Sequence, residues 1–153
     1  NGTLFNYFAT KQDLIDGVYF CIKEKMASET MSKIDLKSGM KQIFFDVWKA
    51  YLDWAHLHPL EHQVVDLLNT SQMLSDEAKK AGENTFSAVY EIMQKGIEDN
   101  ILMDAPVHYL CEVASAHLRA TISYAQSNGF NQADLNDLIE TSFDIYWNGI
   151  QKT

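Results

Sequence analysis

The sequence is poor in cysteine and proline and has no long apolar run, and each shortage excludes a class of protein. Two cysteines, Cys21 and Cys111, cannot build the multi-bridge framework that holds small secreted domains. Both have apolar neighbours, so each is expected to be a buried free thiol. The longest stretch without a charged side chain, Ala120–Ala133, spans 14 residues and is half polar, too short to cross a bilayer. No basic and then apolar leader opens the chain, so a cytoplasmic protein with no membrane partner is expected. Phosphate-cradling glycine loops, a G-x-S-x-G elbow, a CxxC pair and repeated Glu-x-x-His motifs are all missing. Catalysis is therefore not expected, and no cofactor or metal is implied.

What the chain does have is apolar and aromatic mass. Of its 153 residues 46% are hydrophobic, and eighteen are Phe, Tyr or Trp, far too many for a disordered segment. That length suits one compact domain burying roughly two thirds of its unfolded surface. The net charge of −9 is uneven. Residues 1–52 carry seven Lys against six Asp and Glu, for +1; residues 53–153 carry five Lys and Arg against fifteen acids, for −10. Any contact with a polyanion must come from the first third.

Apolar residues recur at three- and four-residue spacing throughout, and no stretch alternates long enough for a strand. Thr10 and Asp13 predict a helix start, followed by Leu14, Val18, Cys21, Ile22 and Lys25 along one helix to about Ser28. A second helix follows Gly39 and ends near His58, since Pro59 disfavours helical geometry at the residue before it. Pro59 suits the first turn of a third, through Val64, Val65 and Leu68. Ser75, Asp76 and Glu77 predict the cap of one long helix through Ala78, Phe86, Val89, Met93 and Ile97. A fifth runs from Pro106 to Asn128-Gly129, and a sixth from about Gln132 to Ile150. The expected fold is all-α, a bundle of about six helices.

The opening residues carry a motif. Leu4 and Phe8 share a helical face, but a turn and a half is not stable alone and reads as the end of a larger unit. The run Gly2-Thr3-Leu4-Phe5-Asn6-Tyr7-Phe8-Ala9-Thr10-Lys11-Gln12-Asp13-Leu14-Ile15 resembles the end of the DNA-binding region of the TetR family of transcriptional regulators. In that family a recognition helix ends in Gly-Thr-Leu-Tyr-x-Tyr/His-Phe. After a turn, Ser/Thr-Lys-x-x-Leu begins the helix leading into the effector domain.

The resemblance implies residues 1–10 as a helix-turn-helix remnant and 11–153 as an effector-binding and dimerisation domain. It implies Gly2 and Thr3 on the recognition helix and Tyr7 and Lys11 at phosphates, with Leu4, Phe8 and Leu14 as the small core of the DNA-binding unit. Phe5 departs from the family's Tyr, removing a hydroxyl able to reach a phosphate. Two more helices are implied ahead of Asn1, so operator DNA is expected to bind only the full-length protein. The implied function is a ligand-responsive repressor that leaves its operator on binding a small effector. A helical small-molecule carrier without DNA binding is the alternative.

His56, His58 and His62 have metal-like spacing, but Pro59 interrupts the helix between them and no Cys or carboxylate pair stands nearby, so a helix-end cluster is expected. Trp48, Tyr51 and Trp54 share one helix, Phe86, Tyr90 and Met93 another, and His117, Thr121 and Tyr124 a third. Their polar tips need partners when buried, so with the resemblance these nine are the expected ligand pocket. The expected ligand is apolar or aromatic. The acidic body would favour a cation, yet no carboxylate turns inward by periodicity. The resemblance also implies a homodimer through the last two helices, where Ala116, Ala120 and Ser123 are small and Leu138, Ile145 and Trp147 are apolar.

Overall fold

A computed structural model describes residues 7–153, and these form seven helices with no strand among them. Helix α1 spans Lys11–Met31, α2 Met40–Leu57, α3 Pro59–Thr70, α4 Asp76–Asn84, α5 Ser87–Glu98, α6 Val107–Ser127 and α7 Gln132–Ile150. The ends are chemically specified. Thr10 Oγ1 accepts from the Asp13 N–H at 3.0 Å, and the Asp13 carboxylate accepts from the Thr10 N–H at 2.9 Å, a closed capping box. Asn131 and Asp134 make the same box on α7, and Ser75 caps α4 through the Ala78 N–H at 3.1 Å. Gly129, at φ 61°, turns the chain out of α6 in a left-handed conformation that suits glycine.

Two expectations need correction. The single long helix after Ser75 is broken into α4 and α5 at Thr85 and Phe86, which raises the count from six to seven. Phe86 leaves helical geometry (φ −113°, ψ 25°), and its carbonyl starts α5 by accepting from Val89 at 2.9 Å. Asn84 and Thr85 are poor helix formers, and the bend swings the Phe86 ring under Lys23 of α1. On α1 the expected burial of Cys21 is also wrong. Val18, Cys21 and Lys25 are exposed, while Tyr19 and Met26 are buried and Ile15 and Ile22 pack against the core. Apolar side chains ring this helix, so periodicity alone did not select the face; Tyr and Met carry the larger buried area. Cys21 is thus an exposed free thiol, and Cys111 a half-buried one.

Helix α2 is the hub, packed against α1, α3, α6 and α7. Trp48 stacks on Tyr146 of α7 at 4.9 Å, and Phe143 stacks on Trp147 at 6.0 Å. The buried Trp48 Nε1–H donates to Ser142 Oγ at 3.0 Å, and Ser142 donates onward to the Ile139 carbonyl at 3.1 Å. The chain end is tied back where Met103 donates to the Ile150 carbonyl and Lys152 to that of Ile101, both at 2.8 Å. No helix among the described residues is long and apolar enough to cross a membrane.

Candidate ligand-binding site

Helices α1 to α6, with Tyr146 from α7, enclose a cavity of about 520 Å³. Small-molecule sites usually measure about 300–1,000 Å³. Phe44, Trp48 and Tyr51 of α2 form one wall, and Phe86, Tyr90 and Met93, from the α5 cap onward, face them. Val65 of α3 and Leu118 of α6 close the sides. Trp48 and Tyr146 spend their polar atoms elsewhere, since Tyr146 Oη donates to the Leu110 carbonyl at 3.2 Å. They offer ring faces to the cavity.

Tyr51 adds a phenol to the lining from α2. Burial pushes its phenol up to about 12, with the Asp66 carboxylate adding to the rise and Arg119 opposing it, so it stays a hydrogen-bond donor. Burial likewise raises Tyr90. From α1, Tyr19 Oη donates to Asn69 Oδ1 at 2.9 Å, and Lys23 lies beside it. Asp66 and Arg119, 3.9 Å apart, stand at the rim with Lys79, Glu83 and Glu112.

Five of the nine residues expected at the pocket are brought together here: Trp48, Tyr51, Phe86, Tyr90 and Met93. The other four are not. Trp54 is buried against the His58 ring at 5.2 Å, with its Nε1 unpartnered among the described residues. His117 stands edge-on to Trp48 at 5.4 Å, and burial lowers its pKa. Thr121 Oγ1 donates to the His117 carbonyl at 2.9 Å, and Tyr124 is exposed beside Phe130. All three lie on α6 away from the cavity wall that Cys111, Ala114 and Leu118 supply. Tyr19, Lys23, Val65 and Leu118 were not expected. A signal for Lys23 existed, because Tyr19, Met26 and Thr30 are buried and Lys23 falls on that same stripe.

Of the residues expected at DNA, Gly2 and Thr3 lie outside the described residues, as do Leu4 and Phe5. Tyr7 is 80% exposed, and Lys11, also exposed, is the first residue of α1. Phe8 lies over α1 so closely that a Cβ on Gly17 would come within 2.7 Å of its ring. On the faces expected to dimerise, Ala116, Ala120 and Ser123 are exposed, Leu138 is half-buried and Ile145 is 62% exposed. Trp147 is a correction. It is 4% exposed, sandwiched between Phe143 and Phe44 in the chain's own core. The histidine cluster is a joint: His58 Nε2 meets Glu29 at 3.0 Å, tying the α2–α3 corner to α1.

No family model matches the chain. Solved structures match nearly all of it. A protein assigned to the TetR family of transcription regulators from Shewanella sp. PV-4 superposes with a TM-score of 0.89 at 20% identity, over 99% of this chain and 81% of that one. A TetR family transcription regulator from Marinobacter aquaeolei VT8 gives 0.87 at 12% identity, over 99% and 78%. One assigned to the same family from Vibrio parahaemolyticus gives 0.73 at 18%, over 99% and 80%. At these identities the likeness is one of fold. The chain has the architecture of TetR-family regulators.

Proposed function

We propose that residues 11–153 are the effector-binding and dimerisation body of a TetR-type transcription regulator, and that residues 1–10 end its DNA-binding unit. The full-length protein would hold operator DNA as a homodimer, with Tyr7 and Lys11 at phosphates, and release it when a small, largely apolar effector fills the cavity. One observation carries this reading. Helix α1 has Lys11 at its first residue and Tyr19 and Lys23 in the cavity wall, about 18 Å along the same rod.

A ligand shifts an equilibrium only by its differential affinity for two arrangements. A molecule pressing on Tyr19 moves the element over which Phe8 is folded, so cavity and DNA-binding unit share one lever. Full-length protein put through selection from random duplex DNA should enrich a two-fold symmetric site, because a two-fold dimer presents two related half-site readers. A hydrophobic compound that raises its thermal transition should release that DNA, and Tyr90→Ala should weaken both effects together. Failure to enrich any sequence at low salt would sink the regulator reading. Stabilisation that survives Tyr90→Ala and Trp48→Ala unchanged would move the ligand elsewhere.

A further inference from the structure

One charged group in the cavity wall lies against aromatic rings, and among the described residues neither it nor Lys79 has an answering charge. Lys23 Nζ lies 4.7 Å from the centroid of the Phe86 ring and 5.9 Å from that of Tyr19. Among the described residues no carboxylate oxygen comes within 4.0 Å of it, whereas Lys25, Lys41, Lys49 and Arg119 each have one. Ring faces offset part of the cost of drawing an ammonium out of water, but supply no counter-ion. Burial alone pushes this ammonium down to about 8, so it is still mainly protonated at neutral pH.

The acids of the lining are placed to leave Lys23 free. Glu83 and Glu112 are exposed at the rim, and Asp66 faces Arg119. Acids outnumber bases across the chain as a whole, yet the lining carries three of each, Lys23, Lys79 and Arg119 against Asp66, Glu83 and Glu112. Lys23 Nζ lies against Tyr19 and Phe86, and the same cavity is lined by Trp48, Tyr51 and Met93.

We propose that the ligand is a monocarboxylate with an aromatic or aliphatic body, its carboxylate paired with Lys23 Nζ and its apolar part held between α2 and α5. This rests on the reading of the cavity as the effector site and narrows that site's ligand class. A single cation among rings matches one negative charge, whereas a phosphate ester would bring close to two. The carboxylate would gain a charge-assisted hydrogen bond in a place where water competes poorly.

The probes are 2-naphthoate, 4-biphenylcarboxylate and decanoate, each with its primary amide, titrated against the protein by Trp fluorescence and calorimetry. Each acid that binds should do so at least roughly tenfold more tightly than its amide, and Lys23→Met should bring acid and amide to within about twofold of each other. Equal affinity of acid and amide, or a preference that survives Lys23→Met, would overturn the carboxylate assignment and leave the cavity a ligand site. Binding by no member of either set at millimolar concentration would overturn both. Should Lys23→Met not fold, the lysine side-chain NMR titration of wild type decides. Saturating acid should raise the Lys23 pKa, and an unmoved titration overturns the pairing.

Discussion

An ammonium without a counter-charge costs the folded state free energy, and Lys23 makes that cost visible through pH. Burial holds its folded pKa at about 8, below the ordinary lysine value of 10.5. Between those two values the unfolded chain binds more protons than the native one, so stability contributed through this group rises with pH across the window. Below pH 8 the full penalty stands; above 10.5 none remains. At roughly 1.4 kcal/mol per pKa unit the ceiling is about 3 kcal/mol, less whatever solvent screens. Urea unfolding of wild type and Lys23→Met at pH 7 and at pH 10 isolates the effect, because Tyr51 and Tyr146 titrate alike in both proteins. The stability difference between the two should narrow as pH rises. A gap of constant size would mean that Lys23 is solvated in the native protein.

At the scale of elements, the helices meet where side chains are absent. Gly82 of α4 sits against Tyr19 of α1, and a Cβ there would overlap Tyr19 Oη and come within 2.7 Å of its ring. An alanine inside a helix ordinarily gains up to about 1 kcal/mol over glycine. Here the sign should reverse, because the displaced ring loses its hydrogen bond to Asn69 and pushes α4 off α1; a loss of about 1–3 kcal/mol is expected, read as a lower urea midpoint. A raised midpoint would show that Tyr19 can swing aside freely. The same contact explains what the sequence could and could not tell. Helix ends were legible because Thr10, Pro59, Ser75 and Gly129 act locally. The break at Phe86 was not, since Asn84 and Thr85 only weaken the helix locally and the Phe86 ring is placed against Lys23 of α1. Of the cavity's aromatics, Trp48, Tyr51, Phe86 and Tyr90 were legible from helical spacing, whereas Tyr19, Phe44 and Tyr146 were not. Lys23 was missed because a lone lysine on a long helix normally faces water, and only knowing which α1 face is buried turns it inward. Trp54, His117 and Thr121 were misplaced for the converse reason: spacing puts them on the right helices but does not say which side of each helix faces the cavity.

The whole molecule leaves a surface that its own core does not use. On α6, Tyr109, Ala116, Ala120 and Ser123 fall along one exposed stripe, and on α7 Leu138, Thr141 and Ile145 fall along another. The two helices pack on each other. Small side chains on α6 let a second copy's helices approach closely, and Ile145, at 62% exposure, is the largest apolar group of the α7 stripe. None of these seven residues is charged, which matters for a chain of net charge −9 meeting its own copy. A two-fold contact uses the same patch on both partners, so one substitution strikes the interface twice. Such an interface should bury about 1,200–2,000 Å² in total, and placing a guanidinium in it without an acid opposite leaves two unpaired charges. Ile145→Arg should therefore halve the mass seen by light scattering at micromolar concentration. It should also abolish the rise of thermal transition temperature with protein concentration that a dimer shows. The cavity lies on the other side of α6, so ligand stabilisation of the monomer should persist. An unchanged dimer mass in Ile145→Arg and in Ala120→Glu would place the interface on another face of the bundle.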